Sequence, residues 1–288
     1  MRLARFGENR LALVEGYVLR DVTQVTERLP PLHWPVPPGD QLIANLEKLR
    51  RAIANAGDAA ARVSATEAKL LSPVANPPRV IAAPLNYRSH EAEAASPAIN
   101  HGVDLGSEGF KTPIDKFGLF LKSPTSVVGA GQGIELAFDG RRNDYEVELA
   151  VVIGDKVKNV SSRSALDYVA GYCIGLDISV RGTEDRSYRK SADTYTVLGP
   201  WLVTADEIGD PGQLGLRLAI DGEIKQEGNT RDLIVSVPEL IERASKLFTL
   251  YPGDVILTGT PAGVGPLQRG QTIRATIDQI GAMDVKVR

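Results

Sequence analysis

A chain of 288 residues with 43% hydrophobic residues can bury one large core or two modest ones. The net charge of −3, with no basic stripe, argues against nucleic acid as the partner. No apolar run approaches membrane-spanning length, the first residues lack the apolar core of a signal peptide, and the lone Cys173 rules out an internal disulfide. A cytoplasmic protein without a membrane partner is expected.

Residues 1–75 read as a small α+β N-terminal domain. Residues 2–6, 11–15 and 17–22 look like short strands punctuated by Gly7-Glu-Asn9 and Gly16. After a Pro-rich stretch at 30–38, the spacing of Leu42, Ile43, Leu46, Leu49 and Ile53 predicts a helix over 40–56, with Gly57 placed to stop it. Residues 57–79, rich in Ala, Ser and Pro, read as a linker. The second domain, residues 76–288, is rich in strands, with apolar runs around 145–153 and 172–180. Asp221-Gly222 marks a hairpin between residues 216–220 and 223–226. A helix is predicted over 238–250 with Leu240, Ile241, Ala244, Leu247 and Phe248 inward, followed by a buried strand at Val255-Ile-Leu257.

The segment Asp144-Tyr-Glu146-Val-Glu148-Leu-Ala-Val-Val-Ile-Gly154 carries the first chemical signal. In a strand, alternate residues share a face, so Asp144, Glu146 and Glu148 lie together. Anions that close repel one another unless neutralised, and a hard divalent cation such as Mg²⁺ or Mn²⁺ suits oxygen ligands. A strand with one solvated acidic face is the competing reading. Asp177 adds weight, because it interrupts the apolar run Gly171-Tyr-Cys-Ile-Gly-Leu-Asp177-Ile-Ser-Val180. A buried carboxylate there needs a metal, several donors or a salt bridge, with Arg181 four residues on as the obvious partner.

In Asn86-Tyr-Arg-Ser-His90-Glu-Ala-Glu93, a helix capped by Ser89 would set His90 and Glu93 on one face. A carboxylate on one imidazole nitrogen fixes the tautomer and makes the other a better base. A surface His–Glu pair fits the same spacing. His33 reads as structural, His101 is uninformative, and Cys173 reads as core. Arg186, Arg189 and Lys190 form a basic cluster suited to anionic small molecules. Lys122 and Lys190 sit in loop-like contexts where a lysine can meet a carboxylate or a developing enolate. The glycines of Leu257-Thr-Gly-Thr-Pro-Ala-Gly-Val-Gly265 can present N–H groups to an anion, without the order or the lysine of a nucleotide loop.

Taken in order, these segments resemble the fumarylacetoacetate hydrolase family. The resemblance rests on the His90–Glu93 segment, Lys122-Ser-Pro-Thr-Ser126, the Asp144–Gly154 strand and Asp177-Ile-Ser-Val-Arg181. Lys190-Ser-x-Asp-Thr194, Leu198-Gly-Pro-Trp-Leu-Val203, Gln226-x-Gly-Asn-Thr230 and the glycine loop extend it over roughly residues 80–288. It implies an α+β chain whose catalytic domain is a mixed β-roll, a bound divalent metal (usually Mg²⁺, with Mn²⁺ or Ca²⁺ as alternatives) and a homodimer. Glu146, Glu148 and Asp177 would hold the metal, His90 would be the base, Glu93 its orienting partner and Lys190 the oxyanion donor. Tyr87, Lys122, Arg181, Glu184 and Thr260 would contact a diketo or 2-oxo acid substrate. The implied reaction is hydrolysis of a C–C bond in a 1,3-diketo acid, acylpyruvate-like or a 2,4-diketo-3-deoxy sugar acid. The products would be a carboxylic acid and a 2-oxo acid such as pyruvate. Decarboxylation or keto–enol isomerisation on the same scaffold, or a purely structural Ca²⁺ site, are the competing readings. Gly182 and Glu184 depart from the family's usual Asp and Gln, and a long segment at 94–114 is expected to form a lid.

Overall fold

The computed structural model describes residues 1–94, 96, 99, 111–138 and 140–288. β1 (Arg2–Phe6), β2 (Arg10–Glu15) and β3 (Val18–Asp21) form a meander. The helix expected over 40–56 is two pieces, α1 (Gln41–Ala44) and α2 (Leu46–Gly57). Asp40 caps the first by accepting from the Leu42 and Ile43 N–H groups, and Asn45 leaves helical geometry between them. Residues 57–79 are more than a linker. They contain β4 (Arg62–Ser64) and β5 (Leu70–Leu71), paired with β3 and β1. Strands of two or three residues leave no alternation for a sequence to display.

There follow β6 (Val80–Ala82), α3 (Arg88–Ala94), α4 (Pro113–Phe117), β7 (Phe120–Lys122) and β8 (Val127–Gly129). The acidic strand is split at Glu146 into β9 (Asn143–Tyr145) and β10 (Val147–Ile153), which lie in different sheets. β11 (Val169–Asp177) and β12 (Ser179–Val180) change sheet in the same way at Ile178. α5 (Arg186–Lys190) and β13 (Thr196–Thr204) lead to β14 (Gly215–Ile220) and β15 (Glu223–Asn229). The turn between the last two is Asp221-Gly222, both with positive φ (48° and 89°), as a two-residue hairpin loop requires. α6 (Val237–Leu247) begins with a Ser236–Glu239 capping box. It buries Leu240, Ile241 and Ala244, but it ends at Leu247, which is exposed and not inward as the spacing suggested. β16 (Val255–Leu257), β17 (Gly265–Pro266), β18 (Thr272–Ile277) and β19 (Gly281–Lys286) complete the chain.

The architecture is mixed α+β. A 12-stranded sheet runs β4-β3-β2-β1-β13-β11-β10-β16-β6-β7, with β5 on β1 and β8 on β13. A three-stranded sheet, β12-β9-β17, and a four-stranded one, β15-β14-β18-β19, flank it. All seven residues of β10 are buried, which requires cover on both faces. On one face Ala150, Val152 and Cys173 pack with Leu46, Leu49 and Ile53 of α2; on the other Leu149, Val151 and Ile153 share a cluster with Leu240 and Ile241 of α6. Each buried aliphatic side chain contributes on the order of 1.5–3 kcal/mol. Cys173 is core, as expected, and burial pushes its thiol up to about 12. Among the described residues, no helix is long and apolar enough to cross a membrane.

Residues 1–75 are joined to this sheet by β1 on β13, with Arg2 opposite Val203 and Leu3 opposite Leu202, and by the passage of β5 beside Gly129. A Cβ on Gly129 would lie 2.1 Å from the Leu71 carbonyl carbon. Gly129→Ala should therefore lower stability by at least about 2 kcal/mol, as overpacking against backbone does. A urea midpoint that does not move would show that the two segments can part at no cost.

Candidate active site

The acidic cluster forms where β10 and β11 leave the large sheet. Their antiparallel register sets Val147 opposite Leu176 and Glu148 opposite Gly175, and the Asp177 N–H donates to the Glu146 carbonyl at 2.9 Å. Period-two alternation keeps Glu146 and Glu148 on one face, and Asp177 lies across from Glu146. One carboxylate oxygen from each of the three lies within 4.8 Å of the others, and all three residues are buried. Asp144 stands apart. The break at Glu146 carries it into the small sheet, where it accepts from Arg142 and Arg181 Nε, both at 2.7 Å.

Three cations hold the cluster. Lys190 donates to Glu146 and Asp177, each at 2.7 Å, and to the Ser179 hydroxyl. Lys122 donates to Asp177 and, at 2.7 Å, to the Tyr195 carbonyl. Arg181 Nη2 donates to Glu146 at 3.0 Å. The salt bridge considered between Asp177 and Arg181 is thus replaced by two lysines. Glu148 has only the Gly259 N–H, at 2.6 Å, and no ion-pair partner among the described residues. Burial, then the charges of Asp177 and Glu146, push its carboxyl well above the usual range. Burial also opposes ionisation of Glu146, but Lys190 and Arg181 outweigh it and hold that group well below the usual range. A buried carboxylate with no cation beside two others is a donor set that a hard divalent ion completes.

His90, on α3, is buried, and its Nδ1 lies 3.0 Å from Glu93 Oε2. A proton on Nδ1 leaves Nε2 with its lone pair. Glu93 Oε1 accepts from the Gly263 N–H at 3.0 Å, which ties α3 to the loop after β16. Burial opposes ionisation of Glu93, yet the bonds from His90 and Gly263 hold its carboxyl below the usual range. Ser89 lies inside α3 and is no cap; its hydroxyl accepts weakly from the Ala262 N–H at 3.4 Å. The Asn86 side chain bridges the Val235 and Thr258 carbonyls. The glycine loop's donors therefore bind the protein's own carboxylates, Glu148 and Glu93. Gly259 has φ +100° and passes so close to Asn86 that a Cβ would lie 2.7 Å from the Asn86 Cβ, so only glycine fits there.

His90, the three carboxylates and Thr260 line one cleft, open to solvent. Arg181, Arg186, Arg189 and Lys190 also line it, with Leu85, Ile99 and Phe120 as apolar wall. The Thr260 oxygen accepts from Gln226 Nε2 at 2.8 Å, so its hydroxyl proton remains available to a ligand.

Three residues expected at the substrate do not line the cleft. Lys122 is fully buried behind Asp177. Tyr87 is in the core, 1% exposed, with its hydroxyl unpartnered among the described residues. Glu184 is exposed and bound by two bonds of 2.8 Å to Arg141, which holds its carboxyl down at about 2. Conversely, Arg186 and Arg189, legible as a basic cluster, join the site, as do Ser179 and Gln226; the Gln226 side chain also accepts from the Val147 N–H at 3.0 Å. The lid expected over 94–114, with His101, lies outside the described residues at 95, 97–98 and 100–110.

A carboxylate cluster and an oriented histidine sharing one cleft define an enzyme site built for a metal-assisted reaction. The family model of the fumarylacetoacetate hydrolase C-terminal domain matches residues 79–288, and the chain belongs to that family. It is 50% identical to maleylpyruvate hydrolase of Aquipseudomonas alcaligenes over 289 residues, covering 100% of this chain and 99% of the other. The crystal structure of maleylpyruvate hydrolase from Sphingobium sp. SYK-6 in complex with manganese(II) and pyruvate superposes with a TM-score of 0.83 at 38% identity, over 100% of this chain and 98% of that one. Fumarylacetoacetate hydrolase from Exiguobacterium antarcticum gives a TM-score of 0.75 at 30% identity, over 100% of both chains.

Glu148→Gln preserves shape while removing the anion that lacks a cation. In EDTA this variant should gain stability over the wild type as the pH is raised, because Glu148 must then ionise beside two other anions and a glutamine need not. Its affinity for Mn²⁺ should fall by at least about 10-fold, the scale seen even when groups outside the ligand shell are lost. Melting curves in EDTA and calorimetric titration with MnCl₂ give both numbers; undiminished Mn²⁺ binding would remove Glu148 from the ligand set.

Proposed function

We propose that this protein hydrolyses the C–C bond of an acylpyruvate, releasing a carboxylic acid and pyruvate, with maleylpyruvate as the substrate the relatives point to. The observation that carries the reading is that His90, oriented by Glu93, shares a cleft with three buried carboxylates. Glu146, Glu148 and Asp177 hold a divalent cation, Mg²⁺ or Mn²⁺, which when bound supplies Lewis-acid polarisation of an oxo acid's oxygens.

His90 Nε2 takes a proton from water, and Glu93 stabilises the imidazolium through Nδ1–H. The resulting hydroxide attacks the acyl carbonyl. The bond to the pyruvyl methylene carbon breaks, and the imidazolium returns its proton to that carbon. Lys190 has three donors, spent on Glu146, Asp177 and Ser179. Releasing the neutral Ser179 hydroxyl costs least, so that donor turns to the charge developing on oxygen. The Thr260 hydroxyl donates to the 2-oxo acid carboxylate. Lys122 and Arg181 act on the protein's carboxylates, fixing their orientation. A decarboxylase needs no base to activate water, so the oriented histidine favours hydrolysis over decarboxylation, and release of pyruvate separates hydrolysis from tautomerisation. A homodimer in the cytoplasm, with residues 1–75 as an N-terminal domain ahead of a β-roll catalytic domain, completes the reading.

Purified protein given maleylpyruvate should lose the enol absorbance and form pyruvate one for one, stop in EDTA, and resume with MgCl₂ or MnCl₂. Enol loss without pyruvate, or CO₂ from oxaloacetate alone, would instead make it a tautomerase or decarboxylase. His90→Ala should lower kcat about 10²- to 10⁴-fold, the range for a general base. Its Mn²⁺ affinity should stay within a few-fold of wild type; undiminished turnover would strip His90 of its role.

A further inference from the structure

Four cationic residues line the cleft, and three are accounted for. Arg181 is bound to Asp144 and Glu146, and Lys190 to Glu146 and Asp177. Arg189 donates to the Glu184 and Val180 carbonyls. Arg186 differs. It is half-buried and, among the described residues, has neither a hydrogen bond nor an ion pair. Its guanidinium carbon sits 4.4 Å from the centre of the Phe117 ring, its one ring contact among the described residues.

A cation partly withdrawn from water without an anion is costly, so its persistence calls for a ligand that supplies one. Stacking on Phe117 meets the guanidinium through the ring face and leaves its N–H groups, which lie in its own plane, unspent. Those are the donors that grip a carboxylate in a two-pronged fashion. The platform is anchored: α4, which carries Phe117, is capped by Thr112 and tied to α6 by the Asp115–Arg243 pair. Arg189, three residues on, has only backbone carbonyls as hydrogen-bond partners among the described residues and places a second positive charge on α5.

We propose that Arg186 is the receptor for a second carboxylate, carried on the acyl half of the substrate, and that it makes the enzyme select dicarboxylic acylpyruvates over neutral ones. This rests on the acylpyruvate reading and adds the residue that recognises the acyl half. Thr260, on another loop, and the acidic cluster serve the 2-oxo acid end, which leaves Arg186 for the far end.

The test compares maleylpyruvate with acetylpyruvate, a diketo acid without the far carboxylate, in wild type, Arg186→Leu and Arg186→Lys. The ratio of the two kcat/KM values should fall about 10- to 100-fold in Arg186→Leu, as for a lost charge-assisted contact. Arg186→Lys should recover part of it, because it keeps charge without the two-pronged geometry. An unchanged ratio in Arg186→Leu, including an equal loss on both substrates, would overturn the assignment. Binding provides a readout that does not depend on turnover. 2-Oxoheptanedioate and 2-oxoheptanoate differ only in the far carboxylate and lack the 1,3-dicarbonyl needed for cleavage. With the Mn²⁺-loaded protein, calorimetry should show the dicarboxylate binding about 10-fold or more tighter to wild type. That preference should vanish in Arg186→Leu, and its survival there, or its absence in wild type, would refute the role of Arg186. Failure of wild type to cleave any acylpyruvate would count against the hydrolase reading, while the binding comparison would still decide the carboxylate site.

Discussion

The structure turns on an electrostatic imbalance: three carboxylates buried within reach of one another, with cations that neutralise two of them. Lys122, Lys190 and Arg181 spend their charge on Asp177, Glu146 and Asp144, so Glu148 is left without a cation among the described residues. Unpaired burial of this kind is tolerated only when the rest of the fold imposes it. The imposition comes from β10 and β11, whose register fixes Glu148 beside Gly175 and Glu146 beside Asp177, and from apolar layers on both faces of the sheet. The two breaks, at Glu146 and Ile178, let both strands leave the sheet where the carboxylates sit.

His90 and the acidic cluster are joined by one loop. Gly259 donates to Glu148 and Gly263 to Glu93, so two N–H groups four residues apart hold an anion of the cluster and the partner of the histidine. Gln226 ties the same loop to the start of β10 through Thr260 and the Val147 N–H. Displacement of that loop would disturb both groups together. Their relative placement is therefore built into backbone geometry, which is stiffer than a chain of side-chain contacts.

Much of the site was legible because its signals are local. Glu146 and Glu148 declare themselves by alternation, Asp177 by its charge in an apolar run, and His90–Glu93 by helical spacing. What escaped is long-range or depends on side-chain direction. Nothing near Glu184 shows that Arg141, 43 residues earlier, will hold it at the surface. Lys122 lies in a strand end whose pattern does not tell that its ammonium points behind Asp177 and away from the cleft. Asp144 follows the same alternation as Glu146, and only the change of sheet between them separates their fates. In the fold, the hairpin at Asp221-Gly222 and the core of α2 were readable from turn chemistry and periodicity. The two-residue strand β5 and the break at Asn45 were not, since tertiary pairing decides both.

The cover that α2 lays over Ala150, Val152 and Cys173 has a consequence for how the parts of this chain depend on one another. The strands that present the carboxylates on their ends are the strands whose backs the first quarter of the chain shields. A chain reduced to the matched region, residues 79–288, would turn that apolar face to water and would have to recruit some other cover. Loss of residues 1–75 would therefore uncover the backs of the same two strands that carry Glu146, Glu148 and Asp177 at their ends, and so would loosen the frame that holds those carboxylates together.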